Sequence, residues 1–440
     1  MKFYNRTQEL AELQRIRNLS FTDHSRMVVV TGRRRIGKTS LILKSVETTP
    51  TVYLFVGRKK EATLCSEFIP IISQSLQAFV PEEIQTFRSL FQYLMELATT
   101  RAFNLVIDEF QEFFNINESV YSDMQNIWDQ YRNKSHINLI LSGSVYSLMQ
   151  KIFQNAKEPL FGRADNIIKL SAFNLSTLKE IMHDYRPDYS NDDLLAFYTY
   201  TGGVPKYVEL FCDNNALSVD KMIKWMVREN SPFTDEGKNL LIEEFGKNYA
   251  TYFSILSAVS GGIHTQPEIE AALGDTSIGG QIKRLIEDYN ILIRQRPLLA
   301  KEGTQTVRYE IADNFIRFWF NYFDRNRSMI EIKNFAGLQA LIKADYPTYS
   351  GKMLERYFKQ QLAESFLYRD IGSWWEAKGN QNELDIVALK LEKKQAVAVE
   401  VKRQKKNFKP LLLAAKVEHL QHKILADYTI ETLCLSLEDM

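Results

Sequence analysis

The sequence predicts an α/β protein: a parallel sheet covered by helices on both faces, then a run of helices, then a second, smaller α/β unit. Three observations predict it. Short apolar, β-branched runs at Arg26–Thr31, Thr51–Val56, Phe103–Ile107 and Ile137–Leu141 alternate with helical stretches, the pattern of strands buried on both faces. After about residue 170 helical periodicity takes over. From about residue 350 strands return.

In order along the chain, a short polar helix is expected around Arg6–Leu19, a strand at Arg26–Thr31, a helix from Lys38 to Val46 and a strand at Thr51–Val56. Residues 62–100 space Phe and Leu for one buried helical face, and the strands at Phe103–Ile107 and Ile137–Leu141 follow. Thr201-Gly202-Gly203-Val204-Pro205 is the clearest turn in the helical region. Residues 247–320 predict helices and a short β-ribbon. There Ile278–Tyr289 forms an amphipathic helix, and Ile291–Arg296 and Val307–Ile311 flank a polar loop, as in a winged helix. An aromatic helix, Phe315–Phe323, closes that unit. Beyond it lie a helix starting at Gly351 and strands at Trp374–Lys378, Asn382–Ala388 and Val397–Lys402.

Composition limits the function classes. The 440 residues predict two to four domains. With 45% hydrophobic and 25% charged residues, each can bury a core. A net charge of +1 excludes a polycation, so any nucleic-acid site is a local patch. Cys65, Cys212 and Cys434 are too sparse for a disulfide framework and fit a reducing compartment. Neither a signal-like apolar start nor a stretch of about 18 apolar residues is present. The expectation is a cytoplasmic protein without a membrane partner.

Gly32-Arg33-Arg34-Arg35-Ile36-Gly37-Lys38-Thr39 sits between a strand and a helix, where a P-loop must sit to turn backbone N–H groups toward phosphates. ATP and Mg²⁺ are the expected cofactors. Lys38 is placed to reach the β- and γ-phosphates and the Thr39 hydroxyl to ligate Mg²⁺. Ser40 follows in the nucleotide-binding set. Arg33, Arg34 and Arg35 either attract the nucleotide or pair with nearby carboxylates. Asp108, ending a buried strand, is placed to hold hydrated Mg²⁺, and Glu109 to orient the attacking water, unless the two merely end a strand at the surface. Ser142 ends the next strand as a sensor of the γ-phosphate or as a plain turn residue. Arg163 is a candidate arginine finger, in cis or across a subunit interface of a homo-oligomer, or a salt-bridge partner.

These residues resemble a known family. Phe3-Tyr4-Asn5-Arg6 with Glu9-Leu10, the arginine-bearing P-loop, Ile107-Asp108-Glu109-Phe110-Gln111, Leu141-Ser142-Gly143-Ser144, Gly202-Gly203-Val204-Pro205-Lys206-Tyr207 and Asp313-Asn314-Phe315-Ile316-Arg317-Phe318-Trp319 are similar to archaeal-type ATPases of the STAND/AAA+-like branch. The resemblance covers nearly the whole chain. It implies a P-loop NTPase core (1–170), a helical lid (171–243), a winged helix (244–330) and a C-terminal α/β domain similar to PD-(D/E)XK nucleases, the restriction-endonuclease-like fold (331–440). It also implies that Asp108 serves Mg²⁺ and Glu109 catalysis.

The C-terminal residues carry their own chemistry. Asp385 and Glu400 are candidate Mg²⁺ ligands, Lys402 can position a water and stabilise charge, and Glu355 can complete the shell from its helix. The Pro that precedes the Asp in such nucleases is absent, Glu383-Leu384 standing there. The competing reading is a salt-bridge network on an amphipathic sheet. The basic run Lys402–Lys409 either holds a nucleic-acid backbone, DNA being favoured, or is a solvated loop. Lys283 and Arg284 could make Ile278–Tyr289 a recognition helix, although Glu287 and Asp288 oppose that. His419 and His422 are read as solvent-facing, and the Phe315–Phe323 stripe as core. The expectation is an ATPase whose nucleotide cycle controls the winged helix and the nuclease-like domain on nucleic acid; the rival is a nucleotide switch with an inactive C-terminal binding domain.

Overall fold

The computed structural model describes all residues except 247–248, 302, 305, 377–381 and 393. The chain forms two compact units, Tyr4–Ala172 and Phe173–Met440, the latter also holding Met1–Phe3.

The first unit runs α1 (Thr7–Thr22), β1 (Arg26–Thr31), α2 (Lys38–Val46), β2 (Thr51–Phe55), α3 (Glu61–Leu76), α4 (Phe87–Leu97), β3 (Phe103–Asp108), α5 (Phe113–Ile116), α6 (Ser119–Tyr131), β4 (Ile137–Ser142), α7 (Tyr146–Gln154) and β5 (Asn166–Lys169). Its five strands are parallel in the order β2-β3-β4-β1-β5. The two-residue period of a strand splits the core between the faces. Met27 and Val29 join the side chains of α3, α4 and α6; Val28 and Val30 join those of α1 and α2. Two features differ from the sequence reading. The helical stretch 62–100 breaks after Gln77, which takes φ 47°, and resumes where the Thr86 hydroxyl accepts from Ser89 N–H. A fifth strand, β5, occupies an edge, and its mixed polar sequence hides it.

The second unit begins with α8 (Leu175–Tyr185), α9 (Asn191–Thr201), α10 (Pro205–Asp213), α11 (Val219–Met226) and α12 (Glu236–Phe245). Ser190 and Asp193 form a capping box at the start of α9; Gly202 and Gly203 at positive φ end it, and Pro205 starts α10. Next come α13 (Tyr249–Ser260), α14 (Gln266–Ala272), α15 (Gly279–Glu287) and the antiparallel pair β6 (Leu292–Gln295) and β7 (Arg308–Ile311), a winged-helix arrangement. After α16 (Asn314–Phe318) the backbone continues as a π-helical turn, Trp319–Asp324, and Phe315, Phe318, Trp319, Phe320, Tyr322 and Phe323 are all buried. The aromatic stripe is therefore packing. Then α17 (Arg327–Glu331) and the 30-residue α18 (Phe335–Glu364) lead to β8 (Tyr368–Trp374), β9 (Leu384–Lys390), β10 (Gln395–Val401), α19 (Pro410–Ile424) and β11 (Thr429–Leu435). The sheet order is β11-β10-β9-β8, antiparallel except for β10 with β11.

The strand expected at Trp374–Lys378 lies earlier. It pairs with β9 from Tyr368 and ends at Trp374, which is buried in the C-terminal core; Ala377 and Lys378 lie outside the described residues. The helical, winged-helix and C-terminal segments interlock within this unit. Arg403 donates from both terminal nitrogens to the Asp192 carboxylate at 3.0 Å each, donates to Ser350 Oγ at 2.5 Å, and stacks over Tyr346 at 5.2 Å. Arg356 donates to Ile311 O at 2.7 Å and Asn314 Oδ1 at 2.9 Å. Leu298, from the winged-helix loop, is buried in the C-terminal core, and its N–H donates to Ser373 O.

Candidate nucleotide site and C-terminal cleft

The P-loop joins β1 to α2. Its backbone leaves the ordinary regions at Gly32 (φ 145°), Arg35 (φ 68°) and Gly37 (φ 87°). A Cβ at Gly32 would stand 2.8 Å from Leu170 O, so only glycine fits there. Lys38 is buried; its ammonium donates to Gly32 O at 2.8 Å and Arg33 O at 3.1 Å, which holds it along the loop. Arg6, also buried, donates to Ser171 O at 2.6 Å and Ile36 O at 3.4 Å, clasping the loop from α1's start.

Parallel neighbours β3 and β4 end beside this loop's helix, and Asp108 gathers four donors there. Thr39 Oγ1 donates to its Oδ2 at 3.0 Å and Tyr53 OH to the same oxygen at 2.5 Å. Glu109 N–H donates to Oδ1 at 3.0 Å, and the Ser142 hydroxyl donates to that oxygen too. Burial, and then the Asp108 carboxylate, push the Tyr53 phenol well above its ordinary range, so it stays a donor. Thr39 and Asp108 thus present hard oxygen donors side by side at the helix N-terminus, a donor set that fits Mg²⁺.

Glu109 takes φ 55° and aims one carboxylate oxygen, Oε2, at three donors: Gln111 Nε2 at 2.5 Å, Ser144 Oγ at 2.7 Å and Ser144 N–H at 3.4 Å. Gln111 is 1% exposed and lies against Gly143, where a Cβ would come within 2.2 Å of its Oε1. Arg163 forks onto Asp129, at 2.9 Å from Nη2, and donates to Pro159 O at 2.8 Å, the salt-bridge arrangement. Gln111, Ser144 and Arg6 entered the sequence reading only as parts of the family-like motifs, with no role assigned, and Tyr53 did not enter it. For Gln111 and Ser144 the signal is positional: each follows a strand at the sheet edge carrying the P-loop, whereas Tyr53 lies within β2 and Arg6 just before α1.

The C-terminal candidates also come together. Val401 N–H donates to Asp385 Oδ2 at 2.8 Å across β9 and β10. Glu400 Oε1 accepts from Lys402 Nζ at 2.7 Å and Oε2 from Lys416 Nζ at 3.2 Å. Burial, followed by the Asp385 carboxylate, pushes the Glu355 carboxyl up to about 7. Both oxygens of Glu400 are therefore taken by ammonium groups, and among the described residues no three Asp, Glu, His or Cys side chains group to hold a metal ion.

Other candidates have structural partners. Arg403 of the basic run is the fork to Asp192, and Lys405 pairs with Asp439 at 3.8 Å. Lys283 lies 3.8 Å from Glu287 on α15. His419 approaches Glu376 at 3.2 Å, and His422 lies 3.9 Å from Glu418.

Glu355 and Asp385 face a cleft of about 820 Å³ within the second unit. One wall carries His264, Arg308, Glu310 and Arg317 of the winged helix. The opposite wall carries Lys352, Glu355, Arg356 and Lys359, at positions i, i+3, i+4 and i+7 of α18 and so on one helical face. No described helix is long and apolar enough to cross a membrane.

Comparison with known proteins gives the following. Residues 3–211 match the profile of an ATPase domain predominantly from Archaea, and residues 319–412 that of archaeal and bacterial proteins of unknown function. An uncharacterized protein of Methanocaldococcus jannaschii is 31% identical over 413 residues, spanning 91% of this chain and 87% of its own length. Among solved structures, the Walker-type ATPase PABY2304 of Pyrococcus abyssi is 18% identical with a TM-score of 0.52, over 72% of this chain and 96% of that one, a likeness of fold. The ORC2 protein of Aeropyrum pernix, solved in ADPNP–ADP complexes, is 14% identical with a TM-score of 0.49, over 75% and 96%.

Proposed function

Since the chain belongs to the family of P-loop ATPases found predominantly in Archaea, we propose that it hydrolyses ATP at the P-loop and uses the cycle to act on nucleic acid through its second unit. The observation that carries the ATPase reading is the convergence of Thr39, Tyr53, Ser142 and Glu109 N–H on the Asp108 carboxylate beside Lys38. Lys38 and the backbone N–H groups of Gly32–Thr39 bind the phosphates, and Arg33, Arg34 and Arg35 add positive potential. Thr39 and Asp108 would hold hydrated Mg²⁺, which supplies charge neutralisation on the phosphate oxygens. Glu109 orients the attacking water and takes up its proton. Ser142, which donates to Asp108 from the end of β4, is the sensor of the γ-phosphate.

The finer reading is that nucleotide turnover controls the winged helix and the C-terminal domain. The placing of Glu355 and Asp385 on one cleft, with Glu400 and Lys402 neighbouring Asp385, supports a nuclease-like ancestry. The capture of Glu400 by Lys402 and Lys416 favours a domain that binds nucleic acid without cutting it. Phosphate release from ATP by wild type, Lys38→Ala and Glu109→Gln tests the core: the first variant should lose binding, and the second should keep bound ATP with little turnover. Wild-type rates in both would refute the assignment. Cleavage of labelled DNA or RNA, lost in Asp385→Ala, would replace binding by nuclease action.

A further inference from the structure

Most charges lining the cleft are engaged in internal pairs, and Lys352 and Lys359 are left facing Glu355 and Asp385. Arg308 binds Glu383 at 2.7 Å and stacks over Trp375 at 4.6 Å. Arg317 and Arg356 flank Glu310 at 3.7 and 3.8 Å. Glu376 is held by His419, Asn382 and Lys423. Glu268 caps α14 through Thr265. His264 Nδ1 is 3.1 Å from Tyr309 O. What remains is the stripe on α18. Lys352 is exposed, Lys359 donates only to Ser373 Oγ at 2.6 Å, and neither forms an ion pair among the described residues. Between them stands Glu355, and Asp385 lines the same cleft with one oxygen on Val401 N–H.

Two ammonium groups seven residues apart on one helical face, about 10 Å along the axis, suit successive or neighbouring phosphate oxygens rather than a single carboxylate. The cleft's volume is in the range of roughly 300–1,000 Å³ that holds a small ligand, enough for about one to three nucleotides and too small for a duplex. The winged-helix ribbon, with exposed Arg294 on β6 and exposed Lys301 in its loop, borders the same cleft through Thr306–Arg308 and offers further cations to a longer chain.

We propose that this cleft seats the phosphates of a single-stranded nucleic-acid end, with Lys352 and Lys359 as its contacts on α18 and the winged helix as its opposite wall. The inference rests on the nucleic-acid reading above and narrows it to a strand end. The shared chemistry is a phosphate with a nucleoside attached, and a mononucleotide is the other source of it.

The test is fluorescence anisotropy of the full-length protein with a labelled single-stranded oligonucleotide and with a blunt hairpin duplex. Wild type, Lys352→Ala/Lys359→Ala and the charge-keeping Lys352→Arg/Lys359→Arg are compared, each checked by thermal melting. The expected result is single-strand binding weakened at least about tenfold in the alanine pair, with the slope of log K on log salt reduced by about 1.4, and restored by the arginine pair. Duplex binding should be weaker and indifferent to these changes. Unchanged single-strand affinity in the alanine pair, with wild type still binding nucleic acid, overturns the cleft assignment alone. A wild type that binds no nucleic acid overturns the broader reading as well. A nucleoside monophosphate displacing the oligonucleotide at equal concentration overturns the strand in favour of a mononucleotide.

Discussion

Gly143→Ala should slow ATP hydrolysis without touching any group that contacts nucleotide. A Cβ at position 143 would lie 2.2 Å from Gln111 Oε1 and 2.5 Å from Met149 Sδ, and both neighbours are buried. An ordinary C···O contact is about 3.3 Å, so roughly 1 Å must open. Overpacking of this kind costs about 1–3 kcal/mol. Gln111 is the softer neighbour, and its displacement breaks the bond from Nε2 to Glu109 Oε2. Glu109 then loses one of its three donors, and a misplacement of about 1 Å at a reacting group costs on the order of 100-fold in rate. The P-loop, Thr39 and Asp108 are unaffected. Steady-state phosphate release should therefore show kcat down by about two orders of magnitude with KM for ATP nearly unchanged. A urea melt should show the stability loss. Full kcat in a measurably destabilised variant would refute the idea that Gln111 positions Glu109. Full kcat with full stability would refute the packing argument itself.

Two further perturbations act in the second unit. Glu355 faces Asp385, Lys359, Glu310 and Lys352, and its carboxyl is raised from 4.5 to about 7. The folded state therefore holds that proton more tightly than the unfolded chain. The stability it contributes is present below about pH 4.5 and is lost as pH rises through about 7. Glu355→Gln should match wild type in denaturant melts at pH 5 and exceed it at pH 8 by about 1–3 kcal/mol; a pH-independent difference would refute the burial of a titrating carboxyl there. Arg403→Ala removes two hydrogen bonds to a partly exposed Asp192 and should cost about 1–2 kcal/mol, read from the urea midpoint. An unchanged midpoint would make the fork a surface contact without energetic weight.

The strands that position the nucleotide site were legible because they are buried on both faces. Arg26–Thr31 and Ile137–Leu141 have no polar face to confuse the pattern, and glycines at fixed offsets marked the loop between strand and helix. The edge strand Asn166–Lys169 was not legible, since its mixed polar residues match no period. Nor was the break after Gln77, where a positive φ rather than a glycine ends the helix. At the site, Lys38, Thr39 and Asp108 follow from spacing alone. The grip of Gln111 and Ser144 on Glu109 does not, because it depends on where two different strand ends arrive in space. The same holds for the C-terminal quartet. Sequence spacing placed Glu400 and Lys402 on one face, but only the fold brings Lys416 from α19 to occupy the second oxygen.

The long helix α18 has a practical consequence. Its N-terminal half buries Leu338, Ile342 and Tyr346, and Tyr346 OH bonds to Asp192 at the start of α9. Its C-terminal half buries Met353, Leu354, Tyr357 and Phe358, and α18 also packs against β8, β9 and β10. At about 1.5 Å per residue it is a rod of roughly 45 Å shared by neighbours far apart in sequence. A fragment cut at residue 331 to isolate the C-terminal sheet would carry off the rod and strip it of half its cover. The bared stripe of Leu, Ile and Tyr would drive such a fragment toward self-association, so excision of that sheet for separate expression should yield aggregates.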